Sequence, residues 1–167
     1  MPLLTDYLSY ADAQAHCTPA ALWALFDGDR EHFNIAHECV DRHAAASQPA
    51  LIVAHAAGHD EVITYDELAR DSARFAHWLL AQGIRAGDRV AVMLEPSRAF
   101  YVSVFGAMKM GAVAVPLFTL FGPDGLKLRV QDCAARLLVT NAEKAPIATG
   151  LAGLRVLVAD EGFEALL

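Results

Sequence analysis

The chain has 167 residues, a length that fits one domain of ordinary size, and 55% of them are hydrophobic. Its 13 lysine and arginine residues are scattered among 20 acidic residues, which gives a formal net charge of −7. Because nucleic-acid binding requires clustered basic residues, this balance argues against a nucleic-acid-binding protein.

Cysteine usage and the start of the sequence bear on the cellular compartment. Cys17, Cys39 and Cys133 are odd in number and lack Cys-x-x-Cys spacing, which argues against a disulfide framework and against a zinc site. The start, MPLLTDYLSYADA, carries acidic residues and lacks the basic and apolar regions of a signal peptide. No apolar run approaches the ~18 residues that a membrane span requires. We therefore expect a cytoplasmic protein with no membrane span.

The first part of the chain has weaker patterns than the rest. Residues 1–33 mix aromatic and acidic residues with only short helical periodicity, so we expect a peripheral amino-terminal arm. After Asn34, apolar residues recur at the spacing of an amphipathic helix that is predicted to end near Ser47. Short apolar runs at residues 51–54 and 62–65 flank a turn-rich connection and predict an antiparallel hairpin.

The next helix has clear signals at both ends. Thr64-x-x-Glu67 has the form of a capping box, and apolar residues then keep to one face from Leu68 onward. Gly83 is placed to end this helix. The sequence therefore predicts a long amphipathic helix directly after the hairpin.

Strands and helices then alternate along the rest of the sequence. Helices are predicted to begin near Ser97 and at Pro123, between buried strands at residues 89–94, 112–117, 136–140 and 155–159. Because neighbouring strands separated by a helix cannot pair as a hairpin, the sheet is predicted to be parallel. Val92 and Val115 are expected in central strands that are buried on both faces. The predicted fold is α/β: a three-layer α/β/α domain over residues 34–167, with a mostly parallel sheet and the antiparallel hairpin at its edge.

Ligands of open parallel sheets bind beyond the carboxyl ends of the strands, which here means the loops at residues 94–97, 117–123 and 140–144. None of these loops has a glycine-rich phosphate-binding pattern or a nucleophile elbow. The segment Gly106–Gly111 has the glycine spacing of a P-loop but lacks its Lys-Ser/Thr pair. The sequence therefore predicts no catalytic residue.

Other polar residues receive ordinary structural interpretations. Two groups of residues have spacings similar to those of metal sites. One consists of His55 and His59, and the other of His37, Cys39 and His43. Neither group has convincing carboxylate support, so we expect no metal site. Ser97 is expected to cap a helix, because its neighbours supply no base that could make it a nucleophile. The solvated face of an amphipathic helix is expected to hold Glu38, Asp41 and Arg42.

Three motifs at characteristic spacings carry a family resemblance: Tyr65-x-Glu67-Leu68, Gly87-Asp88-x-Val90-Ala91 and Lys109-x-Gly111-Ala112-x-x-x-Pro116-Leu117. Over about residues 34–159, the chain resembles the amino-terminal region of the acyl- and aryl-CoA synthetase, adenylation-domain and luciferase superfamily. The segments FNIAHECVDRHA and PLFTLFGPDGL are most similar to the acetyl- and medium-chain acyl-CoA synthetases.

This resemblance implies an AMP-forming carboxylic acid:CoA ligase. In that family an organic acid attacks Mg-ATP to give an acyl-adenylate and pyrophosphate, and the thiol of CoA then displaces AMP. Such chemistry depends on positioning and on neutralising phosphate charge. Family members are several times longer than this chain, and their phosphate loop, ribose-binding Asp and catalytic Lys lie beyond the region matched here. We therefore expect an amino-terminal subdomain that binds no cofactor and is inactive by itself.

The resemblance also supplies one site prediction. In acetyl-type members the segment that matches Phe118, Thr119 and Leu120 lies near bound CoA, which makes these residues the candidate CoA-binding site. Phe118 and Leu120 are also explained as core residues at the end of a strand. Gly125 departs from the family pattern, which has Ala or a similar helix former there, and it weakens the predicted helix slightly.

Two functional hypotheses follow. In the first, the chain is part of an acyl-CoA synthetase, and its partner is the remainder of that enzyme. In the second, it is a stand-alone, non-catalytic binding or interaction module that reuses the fold. Under the first hypothesis an apolar surface stays open, and we expect a homodimer through Phe118–Phe121 or through Trp23 and Phe26. These residues do not indicate which carboxylic acid is the substrate.

Overall fold

The computed structural model describes residues 2–45, 47–55, 58–160, 163 and 165–166. Its α-helices are α1 Tyr10–Ala15, α2 Pro19–Trp23, α3 Ile35–Cys39, α4 Tyr65–Ala81, α5 Arg98–Lys109 and α6 Pro123–Asp132. Its strands are β1 Pro49–Ala54, β2 Asp60–Thr64, β3 Arg89–Met93, β4 Val113–Pro116, β5 Leu137–Thr140 and β6 Arg155–Val158. Short 3-10 helices occupy Leu4–Asp6, Asp41–His43 and Ala145–Ala148. The chain divides into two compact units, residues 1–34 and 35–167.

The unit of residues 1–34 consists of short capped helices and a small aromatic cluster. The hydroxyl of Ser9 accepts a hydrogen bond from the Asp12 N–H at the start of α1. The Thr18 hydroxyl caps α2 in the same way by accepting from the Ala21 N–H, and such caps satisfy N–H groups that have no partner within the helix. The rings of Trp23, Phe26 and Phe33 pack against one another, with centroids 5.2–5.9 Å apart and steep interplanar angles. Edge-to-face aromatic packing is thus a stabilising contact within this unit.

A four-stranded parallel sheet in the order β4-β3-β5-β6 forms the centre of the larger unit. Val92 of β3 pairs with Pro116 of β4 on one side and with Val139 of β5 on the other. All four residues of β5 are buried, as are the last four of β3, because these two strands have neighbours on both sides and helices on both faces. The predicted α/β fold class is confirmed.

Alternate residues of the central strands enter two separate cores. Val90 and Val92 belong to a cluster with Phe75 and Leu79 of α4 and with Val102 of α5. Ala91, Met93 and Leu138 belong to a second cluster with Leu126 and Val130 of α6. Since successive strand residues point to opposite faces, helices cover the sheet on both sides and make three layers.

Helix α4 packs on the face of the sheet that holds Val90 and Val92. Its predicted capping box is confirmed, since the Glu67 carboxylate accepts from the backbone N–H and the hydroxyl of Thr64 at 2.9 and 3.0 Å. The backbone hydrogen bond from Thr64 is the main cause that lowers the pKa of Glu67. The predicted stop at Gly83 is also confirmed, since this glycine has φ +76°.

Within the described ranges, no helix is both long and apolar enough to cross a membrane.

Strands β1 and β2 form the predicted antiparallel hairpin. They make a two-stranded sheet of their own, in which Leu51 pairs with Ile63 and Ile52 with Val62. Ile63 is fully buried in the first core, whereas Val62 is exposed, as expected for a hairpin with one covered face.

The helix predicted up to Ser47 is shorter than expected. Helix α3 ends at Cys39, and Val40 leaves helical geometry with φ −129° before the 3-10 helix begins. The predicted solvated face is wrong for Glu38, whereas Arg42 is exposed as expected. Glu38 is buried and pairs with Arg42 at 2.6 Å, and the Asp41 carboxylate pairs with the Lys109 ammonium of α5.

The position of β4 corrects a second expectation. The sequence predicts that Val115 is buried on both faces, but β4 lies at the edge of the sheet, where Val115 is only half-buried and Val113 is 48% exposed. Val92, on the central strand β3, is fully buried as predicted. Edge and central strands of a parallel sheet can have the same apolar composition, so the sequence pattern alone does not distinguish them.

Candidate functional site

Three parallel strands end at the same edge of the sheet. Strands β3, β4 and β5 end at Met93, Pro116 and Thr140, so the loops that follow them lie side by side. Strand β3 leads through α5 to β4 on one side, whereas β5 leads through a 3-10 helix to β6 on the other. This reversal lies between β3 and β5, and ligands of open α/β sheets commonly bind beyond the strand carboxyl ends near such a point.

A cavity of about 410 Å³ lies between the loops that follow β3 and β4. We call it the carboxyl-edge cavity, and its lining consists of Leu94, Glu95, Pro96, Phe100, Pro116, Leu117, Phe118 and Thr119. Six of these residues are apolar, and the two polar ones are a carboxylic acid and a hydroxyl. Phosphate binding needs cationic side chains or clustered N–H donors, so this lining suits an uncharged group better than a phosphate.

Phe118 and Leu120 have prominently exposed side chains, at 60% and 76% of their surface. The interpretation of these two residues as core residues is therefore wrong. Leu117 still extends the sheet, since its N–H donates to the Val92 carbonyl at 2.8 Å and its side chain is buried. Thr119 is then buried again, in a turn that leaves Leu120 exposed.

Thr119 is 8% exposed and joins the two loops. Its hydroxyl donates a hydrogen bond to the carboxylate of Glu95, which follows β3. Farther along the loop, the Phe121 ring packs edge-on against Phe118, with centroids 5.9 Å apart. The guanidinium of Arg129 lies 3.7 Å above the Phe121 ring, a cation–π contact that fixes the loop against α6.

The start of α5 supports the other side of the cavity. Ser97 caps this helix as predicted, with its hydroxyl accepting from the Phe100 N–H at 3.3 Å. The next residue, Arg98, pairs with the nearly buried carboxylate of Asp71 on α4. It also lies 3.8 Å from the carboxylate of Glu61. The charge of Arg98 is therefore balanced inside the fold rather than directed at a ligand.

The loop after β5 is held by its own hydrogen bonds. The hydroxyl of Thr140 donates to the Met93 carbonyl at 3.0 Å, and Asn141 accepts from the Lys144 N–H at 2.8 Å. The Lys144 ammonium lies 3.0 Å from the Glu143 carboxylate. In the described lining of the carboxyl-edge cavity, the hydroxyl that is bonded to a carboxylate is that of Thr119, which donates to Glu95.

The two histidine groups do not assemble into a larger cluster. His55 and His59 have ring centroids 5.6 Å apart, and the Glu61 carboxylate lies 4.0 Å from His55. His43 instead packs near the Tyr65 ring and contacts the Glu38 carbonyl. In the part of the chain that the structure describes, no three His, Cys, Asp or Glu residues are grouped to hold a metal ion.

Comparison with known proteins identifies the family of this chain. The family model "AMP-binding enzyme" matches residues 40–164, about three quarters of the chain. The chain belongs to the AMP-binding enzyme family. This membership confirms the resemblance to AMP-forming acyl-CoA synthetases, and the matched residues include the loops that form the carboxyl-edge cavity.

Individual relatives agree with this family. An acetyl-coenzyme A synthetase from Halorhodospira halophila is 35% identical over 129 residues, which cover 72% of this chain and 20% of that protein. Acetyl-coenzyme A synthetase 2 from Kluyveromyces lactis is 34% identical over 150 residues, which cover 85% of this chain and 22% of that protein. Among solved structures, an acyl-CoA synthetase from Brucella canis superposes with a TM-score of 0.84 at 29% identity, covering 94% of this chain and 31% of that one. The chain spans about a fifth of the length of the curated relatives it matches.

Sequence reasoning missed two polar contacts of this AMP-binding family member. Glu95 lies in one of the loops predicted to border a ligand, yet its partner Thr119 is 24 residues away. Asp71 and Arg98 are 27 residues apart and lie on different helices. A signal existed for Glu95, because it is the first charged residue after an apolar strand at the ligand-binding edge. For Asp71, the signal was an acidic residue within the apolar pattern of α4.

Proposed function

We propose that this chain is the amino-terminal region of an AMP-forming carboxylic acid:CoA ligase. Family membership supports this proposal, as do the names of the relatives that match most of the chain. In such a ligase, acid and ATP give an acyl-adenylate and pyrophosphate, and CoA then gives the acyl-CoA and AMP. Residues 1–33 are proposed to form a peripheral arm, and residues 34–167 to form a subdomain that supports the site. We propose a cytoplasmic location.

The observation that carries the site proposal is the carboxyl-edge cavity, which Phe118 and Thr119 line, together with the exposed side chains of Phe118 and Leu120. We place CoA beside Phe118, Thr119 and Leu120. Its uncharged arm would pack on the two apolar side chains, since burial of apolar surface favours contact with groups that lack charge. The phosphates of ATP and CoA need cationic partners, and the described lining of the cavity offers one acidic side chain instead. Phosphate binding is therefore assigned to other parts of a longer polypeptide.

Pyrophosphate release tests the catalytic part of this proposal. The 167-residue chain is incubated with Mg-ATP, CoA and a panel of short, medium-chain and aromatic acids. We expect no turnover above background, because the three loops at the carboxyl edge carry no phosphate-binding motif. A polypeptide that extends this chain to the length of the relatives should release pyrophosphate with at least one acid. If the extended polypeptide released none, the chain would be better described as a binding module.

CoA binding tests the site itself. Leu120→Ser and Leu128→Ser change two exposed leucines, one in the Phe118–Leu120 loop and one on α6, so they form a matched pair. In the extended polypeptide, Leu120→Ser should raise the KM for CoA, whereas Leu128→Ser should leave it unchanged. Equal effects of the two substitutions would remove Phe118–Leu120 as the CoA site.

Self-association of the chain is proposed for the same surface. Phe118 and Leu120 expose apolar area that a second copy could cover, most simply in a two-fold dimer. Sedimentation equilibrium over a hundredfold range of concentration should show a dimer, and Leu120→Ser should weaken it. A monomer at every concentration would contradict this proposal.

A further inference from the structure

We infer that Glu95 is a positioning residue that holds the Phe118–Leu120 loop in its binding conformation through Thr119. The carboxylate of Glu95 accepts the hydrogen bond of the Thr119 hydroxyl, and Thr119 lies between the two exposed side chains. Glu95 itself extends from the end of the central strand β3, which is buried and rigidly paired on both sides. The loop is thereby attached at its middle to the most constrained part of the sheet.

The other contacts of the loop lie toward its ends. At the start, the Leu117 N–H donates to the Val92 carbonyl at 2.8 Å. At the end, Phe121 is held under Arg129, and its N–H donates to the Phe118 carbonyl at 3.2 Å across a turn that contains Thr119. The hydrogen bond between Glu95 and Thr119 therefore determines whether the turn between these ends keeps its shape.

A fixed loop has a consequence for binding. Phe118 and Leu120 are exposed, so the fold does not gain from their burial, and their backbone must be held by other contacts. Ordering a loop during binding costs free energy, and a loop that is already ordered binds more tightly. This functional half of the inference rests on the proposed function, because it assigns CoA to the Phe118–Leu120 loop.

Amide hydrogen exchange on the full 167-residue chain tests the structural half. The probe is the Phe121 N–H, which stays protected only while the turn is formed. Thr119→Val and Glu95→Ala should each speed its exchange by roughly threefold to tenfold, the range expected for one lost hydrogen bond. Thr119→Ser and Glu95→Gln keep a donor and an acceptor, so both should keep the protection.

Two controls separate a local effect from a general one. Glu143→Ala removes an exposed carboxylate from the loop after β5 and should leave the Phe121 exchange rate unchanged. The Leu117 N–H belongs to the strand ladder and should exchange at the same rate in every variant. If Thr119→Val and Glu95→Ala left the Phe121 rate unchanged, the inference would be wrong.

Steady-state kinetics test the functional half in a synthetase polypeptide that contains this chain. Glu95→Ala and Thr119→Val should raise the KM for CoA by about threefold to tenfold, in proportion to the lost protection. The control Glu143→Ala lies outside the cavity lining, so it should leave both pyrophosphate release and the KM for CoA unchanged. Glu95→Gln should restore the KM. If exchange changes but the KM does not, the functional half is wrong, whereas absence of any ligase activity would refute the proposed function alone.

Discussion

On one face of the parallel sheet, the long helices α4 and α5 pack closely against each other; on the other, the ten-residue α6 shares the cover with a short 3-10 helix. The difference is visible at two glycines. A Cβ on Gly106 of α5 would lie 2.8 Å from the Phe75 ring and 2.9 Å from the Ser72 carbonyl of α4. A Cβ on Gly125 of α6 would meet its nearest atoms at ordinary distances of 3.5 Å. The same residue type thus has a packing role on one face only.

The largest effect is expected at the centre of the closely packed face. Phe75 is fully buried, and its ring lies 5.6 Å from that of Trp78 and 5.5 Å from that of Phe163. Phe75→Ala should lower the free energy of unfolding by about 3 to 5 kcal/mol, from lost apolar contact and the cavity left behind. Denaturant midpoints measure this change. The control Leu128→Ala, at an exposed position of α6, should stay within about 0.5 kcal/mol of the unsubstituted chain.

A second prediction contrasts a central strand with an edge strand. Val92 on β3 is buried toward the α4–α5 face, whereas Val115 on β4 is half-buried and packs against the α6 face. Val92→Ala should cost about 1 to 3 kcal/mol, and Val115→Ala less than about 1 kcal/mol, because less contact is lost. Urea titrations of both variants give the comparison. Equal costs would contradict the edge position of β4.

A third prediction concerns the closest approach of α4 and α5. Gly106→Ala places a methyl group against the Phe75 ring and the Ser72 backbone, and the backbone cannot move without shifting α4. We expect a loss of about 1 to 3 kcal/mol, although alanine favours helices, because overpacking outweighs the gain in propensity. Thermal unfolding would show it as a lower Tm. An unchanged or higher Tm would mean that the two helices are less closely packed than these distances indicate.

The two faces also show how far the sequence predicts the structure. The capping box of Thr64 and Glu67, the stop at Gly83 and the order of strands along the chain follow from local patterns, and all are confirmed. The edge position of Val115 and the turn at Val40 depend on packing partners far away in the sequence, so local periodicity could not supply them.

At the candidate site, prediction from the sequence also fails where residues far apart in the chain come into contact. The loop that contains Thr119 is predicted correctly at the carboxyl edge, since parallel strands end together. Past the end of β4, Leu117 and Thr119 are buried whereas Phe118 and Leu120 are exposed, and this arrangement includes a turn at Thr119 and Leu120 that the sequence analysis did not predict. The hydrogen bond to Glu95 joins two loops through tertiary structure, so it could be seen only once both strands were placed.

The smallest predicted effect has the opposite sign and belongs to the α6 face. Gly125 lies in the first turn of α6. A methyl group there would contact Phe121 at 3.5 Å and Arg129 at 3.7 Å without displacing either. Gly125→Ala should therefore raise the free energy of unfolding by about 0.5 to 1 kcal/mol, because alanine loses less backbone freedom on folding. Chemical denaturation of Gly125→Ala beside Gly106→Ala should give shifts of opposite sign, and a loss of stability in both would show that the α6 face is as closely packed as the other.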